Sequence, residues 1–106
     1  MINFEDFKKL ELKIGTVESA TKIENSEKLL KLIINFGEEK RQIVAGLAKT
    51  HKPEELINKQ IPVILNLEPR KLMNIESQGM ILAADNNNQP VLLNPETNVP
   101  NGSIIR

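Results

Sequence analysis

The stretch that decides the fold covers residues 40–85 and contains three segments of strand length: KRQIVAGL at 40–47, IPVILNLEPRKL at 61–72 and ESQGMILAAD at 76–85. Small, polar or basic residues interrupt the apolar ones at short intervals. Short apolar runs bounded by Gly, Pro and Asn are typical of β-strands. We therefore predict strands here, the last over residues 80–84, and expect the interruptions to hold most ligand-binding side chains.

The flanking sequence extends the same pattern. Residues 10–14 alternate apolar and charged, and residues 30–36 form a second apolar strand. Asn3 can cap a short first helix, and Pro53 begins another between the third and fourth strands. Gly15 interrupts the first strand where a bulge or a sharp barrel bend is expected. These features predict an all-β, five-stranded OB-fold barrel with a short N-terminal helix, one inserted helix and a C-terminal extension.

Length and composition place the chain in an ordinary class. With 106 residues, 40% hydrophobic and 26% charged, residues 1–106 are expected to form one domain with a single core. The chain contains no Cys, no apolar run long enough to cross a bilayer and no signal-peptide pattern at its start. A cytoplasmic protein without a membrane partner is the expectation.

Residues that could carry catalysis are scarce. His51 is the only histidine, and without Cys neither a transition-metal site nor a thiol nucleophile has the side chains it needs. The adjacent acids at 38–39 and 54–55 suit solvated surface positions, and the five glycines are isolated rather than grouped in a phosphate loop. We predict no enzyme activity, no metal and no cofactor.

Charge favours an anionic partner for the first two-thirds of the chain. The net charge is zero, but residues 1–72 hold 13 Lys and Arg against 11 Asp and Glu, whereas residues 73–106 hold 1 against 3. Basic side chains on or beside strands can contact phosphates, and short polar groups can contact sugars or base edges. The alternative is that each lysine is a solvated surface charge. The candidates are Lys13, Lys28, Lys31, Arg41, Arg70 and Lys71, with the polar Asn66, Ser77 and Gln78.

Aromatic content narrows the kind of nucleic acid. Single-strand binders stack bases on exposed rings, but Phe4, Phe7 and Phe36 are the only aromatic residues, and all three suit packing. Recognition of a folded nucleic acid by its backbone and shape is therefore favoured. Met80 is either core filler or a contact for an unstacked base.

Five blocks of the chain together resemble the dimeric tRNA-binding OB-fold domain family. They are LKIGTV at 12–17, NSEKL at 25–29, RQIVAGL at 41–47, NLEPRKL at 66–72 and ESQGMILAA at 76–84. That family includes free-standing tRNA-binding proteins, the C-terminal domain or separate β-subunit of methionyl-tRNA synthetase, and endothelial monocyte-activating polypeptide.

The resemblance implies a homodimer that binds tRNA by its overall shape, without catalysis, either free or as an accessory subunit with a methionyl-tRNA synthetase catalytic subunit as partner. It assigns RNA-facing positions to Lys28, Arg41, Asn66, Arg70, Ser77 and Met80. Charge and position add Lys13, Lys31, Lys71 and Gln78. A related secretion-chaperone family with the same barrel binds unfolded peptide instead, but residues 44–47 and 76–80 are closer to the tRNA branch.

The C-terminal tail has a composition that favours an interface. It is rich in Pro and Asn and cannot form a long regular element, yet it carries several large apolar residues. Exposed together, they would make a patch that monomers rarely tolerate. We predict packing across a two-fold axis, the alternative being that they cap their own barrel. The predicted interface residues are Val91, Leu92, Leu93, Val99, Ile104 and Ile105.

Overall fold

The computed structural model describes residues 1–106. Two short helices are present, α1 (Phe4–Lys8) and α2 (Pro53–Leu56). The strands are β1 (Leu12–Lys22), β2 (Leu30–Asn35), β3 (Lys40–Ala45), β4 (Gln60–Ile64), β5 (Arg70–Leu72), β6 (Ile75–Ser77), β7 (Met80–Ile81), β8 (Ala83–Asn86) and β9 (Gln89–Leu92).

Five strands form an antiparallel sheet in the order β3-β2-β1-β4-β7. Alternate residues of β2 face the interior, where Leu30, Leu32 and Ile34 are fully buried. β6 and β7 lie against β3, which brings the two ends of the sheet together. The predicted OB-like barrel with two short helices is confirmed, and the capping box at Asn3 and Asp6 is present.

The expected strand over residues 80–84 is wrong in detail. β7 ends at Ile81, and Leu82 N–H donates to the Pro62 carbonyl at 3.1 Å before the chain leaves the barrel. β8 then pairs with β9 through a two-residue turn at Asn87 and Asn88, both with positive φ. Asn tolerates that backbone conformation, so local turn chemistry competes with continued pairing to β4.

Gly15 serves a different purpose from the predicted bulge. It pairs with Ile61 in regular register, and the irregularity in β1 lies between Val17 and Ser19. A Cβ at position 15 would lie 2.6 Å from the side chains of both Ile34 and Phe36. The glycine therefore makes room for two core side chains.

The C-terminal extension pairs with the first half of β1. Ile14 N–H donates to the Ser103 carbonyl at 2.9 Å, and Ile105 N–H donates to the Leu12 carbonyl at 2.9 Å. Gly102 has a φ of +87°, and its Cα lies so close to the Phe36 carbonyl that a side chain there would overlap it. The tail thus supplies hydrogen-bond partners to β1 where β2 does not reach.

Candidate nucleic-acid interface

The outer face of β2 and β3 forms the centre of the candidate site. Because side chains alternate along a strand, the burial of Leu30 and Leu32 turns Lys31 outward. Lys31 is paired with Val44 in β3 and with Thr21 in β1. The pattern of core residues thus places a lysine in the middle of the exposed sheet face.

The β5–β6 hairpin places two further basic residues at the edge of this face. Arg70 pairs with Ser77 and Lys71 with Glu76, and both basic side chains are exposed. This hairpin was not predicted from the sequence, because its turn residues, Met73 and Asn74, lack the Gly of the usual hairpin signals.

Ser77 attaches the hairpin to the barrel and is not available to RNA. Its side chain is 5% exposed. Its Oγ accepts the Val44 N–H at 3.0 Å and donates to the Gly79 carbonyl at 3.1 Å. Gln78 has a similar structural role, because its amide oxygen accepts the Gln42 N–H at 3.2 Å and its own N–H donates to the Gln42 carbonyl at 2.9 Å.

Replacing Ser77 with alanine is expected to lower the free energy of unfolding by about 1–3 kcal/mol, because Val44 N–H would be buried without an acceptor. Urea denaturation of the variant measures this loss. The control is Ser19→Ala, at an exposed position of β1, which should change the free energy of unfolding by less than about 0.5 kcal/mol. Equal unfolding midpoints for the two variants would contradict the role assigned to Ser77.

Arg41 and Asn66 also make contacts within the protein. The Arg41 guanidinium donates to the carbonyls of Leu65 at 2.5 Å and Gln78 at 3.2 Å, and it is paired with Glu39. Asn66 Oδ1 accepts the Glu11 N–H at 2.8 Å and its Nδ2 donates to the Lys9 carbonyl at 2.6 Å. Arg41 joins β3 to the segments that close the barrel, and Asn66 joins β4 to the segment after α1.

Ion pairing divides the predicted basic residues into two groups. Lys13 is paired with Glu11 at 3.4 Å and lines a cavity of about 210 Å³ that also includes Glu38 and Glu39, away from the hairpin. Arg41 is paired as described above. The remaining four have no carboxylate partner, and we call them the unpaired basic group: Lys28, Lys31, Arg70 and Lys71.

Lys40 is a further basic residue of β3 that could contact phosphate, but its charge is already paired with a carboxylate. Its ammonium lies 2.9 Å from Glu18, and this hydrogen bond lowers the pKa of Glu18 below its ordinary value. Desolvation opposes the change, and the Asn35 amide at 3.0 Å adds to it. The carboxylate therefore remains charged to lower pH than an isolated Glu, and Lys40 stays paired.

The structure links Lys31 to Arg70 through β3 and the hairpin, and it places Arg70 beside Met80. Lys31 pairs with Val44, Val44 bonds to Ser77, and Ser77 pairs with Arg70. Arg70 and Met80 line one small cavity of about 60 Å³ above Ser77. Lys28 extends its side chain across Gly46, just beyond the end of β3.

Three residues that sequence reasoning missed lie on the other side of the hairpin. Lys22, Met73 and Ile75 line a cleft of about 330 Å³ together with Lys31. Lys22 is exposed and forms no ion pair. Lys22 ends β1 opposite the buried Leu30, so strand alternation does not place it on the outer face with Lys31. Met73 could not be placed without the hairpin register.

Two negative observations concern other site types. No three His, Cys, Asp or Glu side chains gather as a metal site would require. None of the helices has the length and apolar character needed to cross a membrane.

Comparison with known proteins places this geometry in a family. The profile described as "Putative tRNA binding domain" matches residues 12–104. The whole chain is 55% identical to part of "Methionine--tRNA ligase" from Methanothrix thermoacetophila, of which it spans only 16% of the length.

Two solved structures superpose on the full chain. The MetRS-related protein from Pyrococcus horikoshii has a TM-score of 0.94, 37% identity and 98% of its own chain covered. The chaperone CsaA from Bacillus anthracis has a TM-score of 0.90, 35% identity and 99% covered. With its profile match running from β1 into the C-terminal tail, this chain belongs to the tRNA-binding domain family.

Proposed function

We propose that this chain is a non-catalytic module that binds folded tRNA in the cytoplasm and serves a methionyl-tRNA synthetase, either as a separate subunit or as one domain of it. The observation that carries the proposal is the unpaired basic group, in which Lys31 lies on the outer face of β2 and Arg70 on the hairpin attached beside it. Lysine and arginine side chains without internal carboxylates are free to neutralise phosphates.

The form of recognition follows from the lack of rings on this face. Phe36 is buried. Phe4 is 68% exposed, contrary to the packing role predicted for it, and it stacks on Phe7 in α1. One exposed ring pair on a short helix does not provide the row of rings on which single-strand binders stack successive bases. Contacts to the sugar-phosphate backbone of a rigid, folded RNA remain as the source of affinity, so binding depends on the contour of the tRNA more than on its sequence.

An accessory role fits a module of modest affinity. Tethering or docking such a module beside a catalytic subunit raises the local concentration of tRNA, and the gain in avidity is about 10²–10⁴ without any new catalytic contact. The relative from Methanothrix thermoacetophila, of which this chain matches a small part, supports this role.

A competition gel shift over a salt series tests the function. Folded tRNA should displace labelled tRNA, whereas heat-denatured tRNA and duplex DNA should compete poorly. If about four to six phosphates are neutralised, log K should fall with log salt at a slope of roughly −3 to −5. An affinity that does not change with salt, or equal competition by denatured tRNA, would refute shape-based tRNA binding.

Peptide binding in the manner of a chaperone is the second candidate. The superposition on CsaA favours it, as do the exposed Met80 and Val91. A pull-down from cell extract followed by sequencing of bound RNA and mass spectrometry of bound peptides separates the two functions. Recovery of unfolded peptides without RNA would make the chaperone function the correct one.

We also propose that the active form is a homodimer. The predicted interface residues divide into two sets: Leu92 packs on the chain's own core, and the backbone of Val99 and Ile105 is held by hydrogen bonds. Val91, Leu93 and Ile104 stay exposed, Ile104 by 66%. The β8–β9 hairpin is a two-stranded sheet, and such hairpins are marginally stable unless another surface covers them.

Leu93→Asp combined with Ile104→Asp is expected to convert the dimer to a monomer, because two buried charges at the interface would lack partners. Light scattering at micromolar concentration should give half the parent mass. Thr97→Asp, which adds a charge at an exposed polar position of the same tail, is the control and should remain dimeric. A monomeric parent protein would contradict the dimer directly.

A further inference from the structure

The cleft between the β5–β6 hairpin and the end of β1 has features that tRNA binding through the unpaired basic group does not explain. Its lining includes the apolar Ile23, Met73 and Ile75 and the basic Lys22 and Lys31. The volume of about 330 Å³ falls at the lower end of small-ligand sites. We call it the hairpin cleft.

The tip of the hairpin has an unusual residue for its backbone. Met73 and Asn74 are the two central turn residues, with φ of 52° and 65°, and such turns favour Asn, Asp or Gly at both positions. The β8–β9 hairpin of the same chain makes an equivalent turn with Asn87 and Asn88. Met73 thus occupies a strained position where the chain elsewhere uses Asn.

Packing in the hydrophobic core does not explain the strained backbone at Met73. The Met73 side chain is 49% exposed, so it does not fill the core. It does line the hairpin cleft, together with Ile75 and two lysines that have no carboxylate partner. Strained backbone that persists without a packing reason is found preferentially at functional sites.

We propose that the hairpin cleft binds one unstacked nucleotide of the tRNA, with the base against Met73 and Ile75 and its phosphate at Lys31. Apolar side chains and an unpaired cation in one cleft match a nucleotide, which joins a flat, largely apolar base to an anion. Met is suited to the base contact because its flexible, polarisable thioether adapts to different rings. The inference rests on the proposed tRNA binding and adds a site where a single base leaves its stack.

Glu24 also lines the cleft, and removing its charge should change the tRNA affinity in the opposite direction to removing the charge of a lysine. Its carboxylate adds like-charge repulsion to an incoming phosphate. Glu24→Gln should therefore strengthen tRNA binding, by about threefold at low salt. Lys31→Gln should weaken it and reduce the salt slope by about 1.

The deciding variant is Met73→Asn, which copies the turn of the β8–β9 hairpin. Its urea unfolding midpoint should equal or exceed that of the parent, because Asn tolerates positive φ better than Met. Its affinity for folded tRNA should fall about tenfold, which corresponds to about 1.4 kcal/mol. Lys59→Gln, at an exposed position after α2, is the control and should bind as the parent does.

Methyl-labelled methionine locates the contact in the full chain. The three methionines are Met1, Met73 and Met80. Adding folded tRNA should shift the Met73 methyl resonance and leave Met1 in place. If tRNA binds but Met73→Asn binds it as tightly as the parent, the nucleotide site is wrong while tRNA binding stands. If folded tRNA does not bind the parent, both proposals fall together.

Discussion

Replacing Arg70 and Lys71 together with glutamate is expected to weaken tRNA binding on the order of 100-fold at physiological salt. Both side chains are exposed on β5 and neither has a carboxylate partner, so each is free to neutralise a phosphate. The change removes two such contacts and adds repulsion at the same places. The magnitude of the salt slope should fall by about 2.

Net charge must be separated from position in this experiment. Lys52→Glu combined with Lys59→Glu lowers the net charge by the same amount, but both positions are exposed on either side of α2, away from the β5–β6 hairpin. This control should bind tRNA within about twofold of the parent after correction for long-range repulsion, which salt screens. Equal losses in the two double variants would mean that tRNA responds to overall charge and that no local interface exists.

Gly15→Ala is expected to lower the free energy of unfolding by about 3 kcal/mol. The added Cβ would lie 2.6 Å from Ile34 Cγ2 and 2.6 Å from Phe36 Cε1, both in the buried core. Extra volume in a packed core forces side chains off their rotamers and shifts the backbone. Urea denaturation monitored by circular dichroism measures the loss.

A second glycine of the chain serves as the matched control. A Cβ at Gly46 would meet only the Lys28 side chain at 3.6 Å, an ordinary contact, so Gly46→Ala should be neutral or slightly stabilising. Phe36→Leu removes one of the two obstructing groups, and in the double variant with Gly15→Ala the losses should be less than additive. Additive losses would show that Gly15 matters through backbone freedom and not through space for the ring.

Much of the fold could be predicted from local pattern because its causes are local. The alternation in β2 and the capping residue at Asn3 act through neighbours a few positions away. Errors arose where two local signals competed. The apolar residues 80–84 were assigned to one strand, whereas residues 83–86 belong to a hairpin that turns at Asn87 and Asn88. Gly15 was interpreted as a backbone signal, whereas its missing side chain is what the core requires.

The candidate site was harder to predict because residue type does not reveal the hydrogen-bond partner. Ser77 and Asn66 are polar side chains of the kind that contact RNA, yet each satisfies backbone groups far away in the chain. Arg41 is likewise occupied by the carbonyls that it joins. Met73 and Lys22 went unnoticed because only the folded hairpin brings them to one cleft.

The sequence by itself determined the barrel, its two short helices and the family, since alternation, capping and motif spacing are written in consecutive residues. Only the tertiary structure decided which basic residues are free. Lys31 and Arg70 lack carboxylate partners, whereas Lys40 is paired with Glu18 of β1, and that difference depends on which strands lie side by side. The physical reason is that charges interact through space, over distances set by contacts between segments that the chain order keeps far apart.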